Sequence, residues 1–87
     1  MDTVEAREIL RRYLEQYRVQ TYTTLASQVG HRKHDIVKSD SAKKYNIEVE
    51  ILWDGQPGGT IRVLGSIDDG GVRTLLPLTE SFLVDPI

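Results

Sequence analysis

Apolar and polar residues alternate along this chain from Ile47 to Leu78, in three segments separated by two turn-forming stretches. The segments read Ile47-Val49-Ile51-Trp53, Ile61-Val63-Gly65-Ile67 and Val72-Thr74-Leu76-Leu78. Side chains of an extended chain point to opposite faces in turn, so this pattern predicts half-buried antiparallel strands that share one oily face. Upstream the spacing changes. Ala6, Ile9, Leu10, Tyr13, Leu14 and Tyr17 recur every three or four residues, which predicts an amphipathic helix from about Thr3 to Tyr17. Asp2 is placed to cap its free amides, with Glu5 three residues on in capping-box position. Glu8, Arg11, Arg12, Glu15 and Arg18 form the solvated face, where opposite charges one turn apart support the helix.

The middle of the chain is less regular. No residue from Val19 to Val29 is charged, and Thr21, Thr23 and Thr24 lower helix propensity, which leaves three alternatives: a continued helix, a kink, or a separate element. Gly30 is expected to end it, and His31-Arg32-Lys33-His34 suits the negative end of a helix dipole. Asp35 to Asn46 reads as an irregular or edge-strand connection anchored by Ile36 and Val37.

The turns propose a register. Asp54-Gly55-Gln56-Pro57-Gly58-Gly59 joins the first two strands, through glycines that permit positive φ and a proline that cannot donate to a ladder. Asp69-Gly70 is a two-residue hairpin signal, expected to pair Ile67 with Val72, Gly65 with Thr74, Val63 with Leu76 and Ile61 with Leu78. The first hairpin is expected to pair Ile51 with Val63 and Trp53 with Ile61, and to set Glu50 against Arg62 on the outer face. That face also carries Leu52, Leu64 and Leu75, which require cover either from a second subunit or from residues 80 to 84 folding back. Pro77 places the third strand at an edge, a bulge or a bend, and Phe82 and Val84 form a last apolar pair.

These elements predict one α+β domain over residues 1–87: an N-terminal helix packed on a curved antiparallel meander of three to four strands. By element order, a long helix in the concavity of such a sheet resembles the cystatin-like arrangement, which also underlies the nuclear-transport-factor-2-like domains. That resemblance implies a fold and no activity, because such folds host enzymes, binders and oligomerisation modules alike.

Composition adds a motive for self-association. The chain has 87 residues, 39% of them hydrophobic, and a chain this short buries only about 60 to 65% of its unfolded surface. It has no cysteine, hence neither disulfides nor a thiolate metal site to reinforce the core, and a homodimer is the expected reinforcement. The charged start and the lack of any long apolar run point to a cytoplasmic protein, with no membrane partner. Net charge is −2, unevenly placed: residues 31 to 47 carry Arg32, Lys33, Lys38, Lys43 and Lys44 against Asp35 and Asp40, while seven acids oppose Arg62 and Arg73 beyond residue 47. An acidic chain with one local basic stretch is not the profile of a dedicated nucleic-acid binder.

No motif names a reaction. His31 and His34 would share a helix face, yet a closed metal site needs further ligands, and the chain has no third histidine. Asp68-Asp69-Gly70-Gly71 lacks the alternating ligands and distal glutamate of a calcium loop. Glu48 and Glu50 read as solvated strand positions, since acid–base work needs a sheltered carboxylate. The glycines at 55, 58 and 59 lack the lysine and following helix of a phosphate loop, and Gly65-Ser66 lacks the second glycine of a nucleophile elbow. Tyr13, Tyr17, Tyr22 and Trp53 are core aromatics at helical and strand spacing, or else line a small-molecule pocket between helix and sheet. Thr24 to Gly30 resembles the first helix and turn of a helix-turn-helix, which would require a recognition helix within His31 to Lys44; Ser39, Asp40 and Ser41 oppose one. The order of readings is therefore an interaction or assembly domain without cofactor, homodimeric through the leucines of the outer face or a sheet edge; then a pocket domain; then a winged-helix-like nucleic-acid binder. An enzyme has the least support.

Overall fold

The computed structural model describes residues 1–71 and 77–86. The element order is α1 (Thr3–Arg18), α2 (Tyr22–Ala26), β1 (Arg32–Lys38), β2 (Lys44–Trp53), β3 (Ile61–Asp68) and β4 (Leu78–Val84). The strands form one four-stranded antiparallel sheet in the order β1-β2-β3-β4, curled but not closed, with α1 packed on one face. The expected α+β arrangement is thus formed. No helix among the described residues is long and apolar enough to cross a membrane.

α1 forms as its spacing dictates. Asp2 caps it, accepting a hydrogen bond from the Glu5 amide at 3.0 Å, and Ala6, Leu10, Leu14 and Tyr17 are buried. Glu5 does not complete the capping box in the expected sense; its carboxylate accepts hydrogen bonds from the Tyr45 and Ser41 hydroxyls at 2.8 and 3.1 Å. Of the three alternatives for the uncharged stretch, the separate element is realised. Thr21 caps α2 by accepting from the Thr24 amide, and Leu25 is buried.

Gly30, at φ +90°, turns the chain, but the next element is a strand and not a helix end. The expectation for His31 to His34 is corrected: Arg32 to Lys38 gains a ladder with β2, registered Arg32↔Glu50 through Lys38↔Lys44, which a dipole contact cannot match. The recognition helix required by a helix-turn-helix is accordingly not formed. β1 and β2 join through a tight turn, with the Ser39 amide donating to Lys43 O at 2.8 Å and Ala42 at φ +65° in the conformation usual for glycine.

β2 and β3 pair as expected for the inward residues, with Ile51↔Val63 and Trp53↔Ile61. The expected Glu50–Arg62 pair is corrected, because this same register sets Leu64 opposite Glu50 and Leu52 opposite Arg62. Arg62 reaches Asp54 at 2.8 Å and donates to the Ser81 hydroxyl, and Glu50 pairs with Arg32 at 3.4 Å. The second hairpin is also corrected. Leu78, not Val72, lies opposite Ile67, and Val84, not Leu78, lies opposite Ile61. Asp68 and Asp69 accept from the Gly70 and Gly71 amides in local side-chain turns. Val72, Thr74 and Leu76, and Leu75, expected at an interface, lie outside the described residues. The adopted register puts Phe82 and Val84 against the core and delivers Glu80 to Arg7 and Arg11 of α1, at 3.3 and 3.0 Å. Residues 80 to 84 do not fold back over the outer leucines; they lie in the plane of the sheet.

The core is the interface between α1, α2 and the inner sheet face: Leu10, Leu14, Leu25, Tyr45, Ile47, Val49, Ile51, Ile61, Val63 and Ile67 are all buried. Its closest approach is at Gly65, where a Cβ would stand 2.9 Å from Leu10 Cδ1 and 3.0 Å from Leu14 Cδ2. Gly65→Val is expected to lower stability in urea titration by about 1–3 kcal/mol through overpacking. In that background Leu14→Ala should cost less than the ~2–5 kcal/mol expected for it alone, because the cavity it opens is the space the valine needs.

Candidate functional site

The helix contacts β3 and β4, and this offset leaves a gap over β1. The result is an open groove of about 610 Å³ between α1 and β1, within the size range of small-molecule sites. Val4, Ile9 and Tyr13 line it from the helix, and Val37 lines it from the strand. Glu5, Glu8, Arg12, Lys38 and Asp40 supply charge around those apolar positions.

Several polar groups of the groove are engaged with neighbours. Glu8 holds Arg12 at 2.8 Å across one helical turn, and Glu5 is shared by Tyr45 and Ser41. Tyr13 donates to Asp35 Oδ2 at 3.1 Å, tying the middle of α1 to the edge strand. Burial, reinforced by the Asp35 carboxylate, pushes the Tyr13 phenol up to about 12. Burial also raises Tyr17, and burial together with the Glu5 hydrogen bond pushes Tyr45 up to about 12. These phenols remain protonated hydrogen-bond donors at neutral pH and are moved away from the range useful for proton transfer. The Gly71 amide holds the exposed Asp69 carboxyl below its ordinary range, as a turn does.

Of the four aromatics expected around a pocket, only Tyr13 lines the groove. The Tyr17 ring lies 6.4 Å from that of Tyr13 and is buried in the core. Tyr22 donates to Gly59 O at 2.8 Å and thereby ties α2 to the β2–β3 loop, and Trp53 packs on the core at the end of β2. His34 lies within β1 and His31 precedes that strand, so the shared helix face expected for the two histidines is not formed. Among the described residues no group of three or more histidines and carboxylates gathers as a metal site.

The second candidate surface is the outer face of the sheet. Leu52 and Leu64 are half-buried there, and β4 adds Leu83, which is 51% exposed. Arg62 stands between Leu52 and Leu83 in the register, with its charge met by Asp54. Towards β1 the same face becomes ionic, with Arg32 between Glu48 and Glu50 at 3.6 and 3.4 Å. Sequence reasoning missed Leu83 and the groove residues Glu5, Glu8, Val37 and Lys38. The signal for Leu83 was its odd number in a strand whose even residues face the core; β1 gave no comparable pattern.

Tyr13 and Tyr45 carry a pH signature. Both phenols titrate higher in the folded chain, near 12, than at the ordinary value of 10.0, so between these limits the native state holds protons that the unfolded chain has lost. Their contribution to stability is complete below about pH 10 and is lost as pH rises through about 12. Tyr45→Phe should therefore flatten the alkaline decline of the urea midpoint, with tyrosinate absorbance reporting one fewer late-titrating phenol.

Comparison with known proteins gives no match: no family model fits the chain, and no curated protein or solved structure is similar to it.

Proposed function

We propose that this chain is a small non-enzymatic assembly domain that works as a homodimer in the cytoplasm. The observation that carries the reading is the outer sheet face. Leu52, Leu64 and Leu83 lie on it with no second layer from the described chain above them, and this patch runs out to the last strand of an open sheet. An apolar patch of this kind on a domain with a small core is stabilised by a second copy, which adds buried surface that the chain alone cannot supply. The groove chemistry agrees with a role outside catalysis: Glu5 and Glu8 are bonded to neighbours and the Tyr13 phenol is shifted away from neutrality. A chain without cysteine also suits a reducing compartment.

A second reading rests on the groove itself. A helix over a curled sheet with a cavity between them is the arrangement that nuclear-transport-factor-2-like domains use for small ligands, and Val4, Ile9, Tyr13 and Val37 form a mixed aliphatic and aromatic wall here. Ligand binding there would change the environment of Tyr13, and Ile9→Glu would abolish it without touching the outer face.

Sedimentation equilibrium over a concentration series is expected to show a reversible monomer–dimer system. A chain that stays monomeric at millimolar concentration removes the assembly reading and leaves the groove as the functional surface.

A further inference from the structure

The two edges of this sheet are built differently, and the difference selects one of them for pairing. In an antiparallel ladder, alternate residues bond one neighbour and the rest bond the other. The Asp54 amide donates to Thr60 O, so even-numbered residues of β2 and β3 face each other, and odd-numbered residues of β3 bond β4. Since β3 and β4 pair odd with even, as in Val63↔Phe82, the backbone groups of Thr79, Ser81 and Leu83 point away from the sheet. Nothing among the described residues meets them.

The other edge is blocked. The Ile51 amide donates to His31 O, so the odd-numbered residues of β1 bond β2, and its even-numbered backbone groups point outward. At the centre of that edge the Ile36 amide already donates to Asp35 Oδ1 at 2.9 Å. Arg32, Lys33 and Lys38 give the strand an excess of positive charge, which repels a second copy of itself. β4 has none of these devices. Its one charge, Glu80, points inward to Arg7 and Arg11, and its outward side chains are Thr79, Ser81 and Leu83.

We infer that two copies of this chain join by antiparallel pairing of β4 with β4 about a twofold axis at Ser81, which merges their sheets into one. This rests on the assembly reading and keeps its dimer, but moves the contact from the leucines of the outer face to the edge strand at which that face ends. Ser81 is the central residue of Leu78–Val84, so the register that pairs the whole strand sets Ser81 opposite its own copy and Thr79 opposite Leu83 of the second copy. The outward amides and carbonyls of all three residues are then satisfied. No charge faces a like charge across the axis. Stacking the outer faces instead would bury Arg32, Glu48 and Glu50 along with the leucines, a desolvation that edge pairing avoids. Because β1 is blocked, β4 has no complementary edge on a third copy, and assembly closes at the dimer.

Cysteine scanning tests the register directly, since the chain has no cysteine of its own. Residues opposite each other in such a pair lie about 5.5 Å apart, within disulfide range. Under mild oxidation Ser81→Cys should crosslink to a covalent dimer. Thr79→Cys and Leu83→Cys should each remain uncrosslinked alone and crosslink when mixed. Ser81→Pro, which removes an outward amide and no backbone ladder bond of the subunit, at the cost of the exposed Arg62–Ser81 side-chain hydrogen bond, should abolish the dimer in sedimentation equilibrium with an unchanged circular dichroism spectrum. Leu64→Glu should leave association within about threefold of the parent, because Leu64 lies one strand in from the edge. A dimer that breaks with Leu64→Glu and gives no Ser81→Cys crosslink overturns edge pairing and leaves assembly through the outer face standing. A parent chain that is monomeric throughout overturns both. If Ser81→Pro unfolds the subunit, the three cysteine variants still decide the register.

Discussion

At Gly65 a side chain would crowd the helix, because the methyl ends of Leu10 and Leu14 stand 2.9 and 3.0 Å from where a Cβ would lie. The helix is seated on this gap, and much else depends on where that seat is. It lies on β3, so α1 runs over β3 and β4 and not over the middle of the sheet. From there Arg7 and Arg11 reach Glu80, and the Arg18 guanidinium stacks 4.3 Å from the Phe82 ring centre, so that one helix face holds β4 in place. These polar contacts are partly exposed and individually weak; the buried leucines beneath them, each about 1.5–3 kcal/mol when fully removed from water, set the position.

The same offset creates the groove. A helix centred on the sheet would cover the inner side of β1, whereas this one leaves Val37 and the Tyr13 wall open, bridged by Tyr13 to Asp35 and by Glu5 to Tyr45 and Ser41. Those bridges give Glu5, Tyr13 and Tyr45 partners within the fold. Glu8 likewise holds Arg12, and the resolved shifts strengthen the neutral phenols. On the opposite face, covering is incomplete for a simpler reason. Among the described residues the helices form one layer, and it lies on the inner side.

How much of this was legible depends on which physical signal each element left in the sequence. α1 and its Asp2 cap were readable because helix periodicity and capping are local. The β2–β3 hairpin was readable because its inward residues alternate on both sides of a glycine-rich loop. The third pairing was not, and parity is the reason. Leu78 opposite Ile61 and Leu78 opposite Ile67 keep the same residues facing inward, so a period of two cannot distinguish registers that differ by an even number of residues. The Asp69-Gly70 signal pointed to Val72 opposite Ile67, while the contacts that favour Leu78 there, Glu80 with two arginines and Phe82 with Arg18, join residues far apart in the chain. β1 was hidden twice over. Its turn places Ala42 where glycine is expected, and its exposed, charged sequence resembles a loop because an edge strand beside the groove buries little.

The sequence by itself determined an α+β domain, an inner face of alternating apolar residues, a capped amphipathic helix to cover it, and a surplus of leucines on the outer side. All of these follow from periodicity and local hydrogen bonding, which a single chain displays in its order of residues. Only the tertiary structure decided which strand is last, which edge is blunted and which is open, and where the groove lies. Those outcomes turn on the lateral position of one helix and on a register that alternation leaves undetermined, and both are settled by contacts between residues distant in sequence.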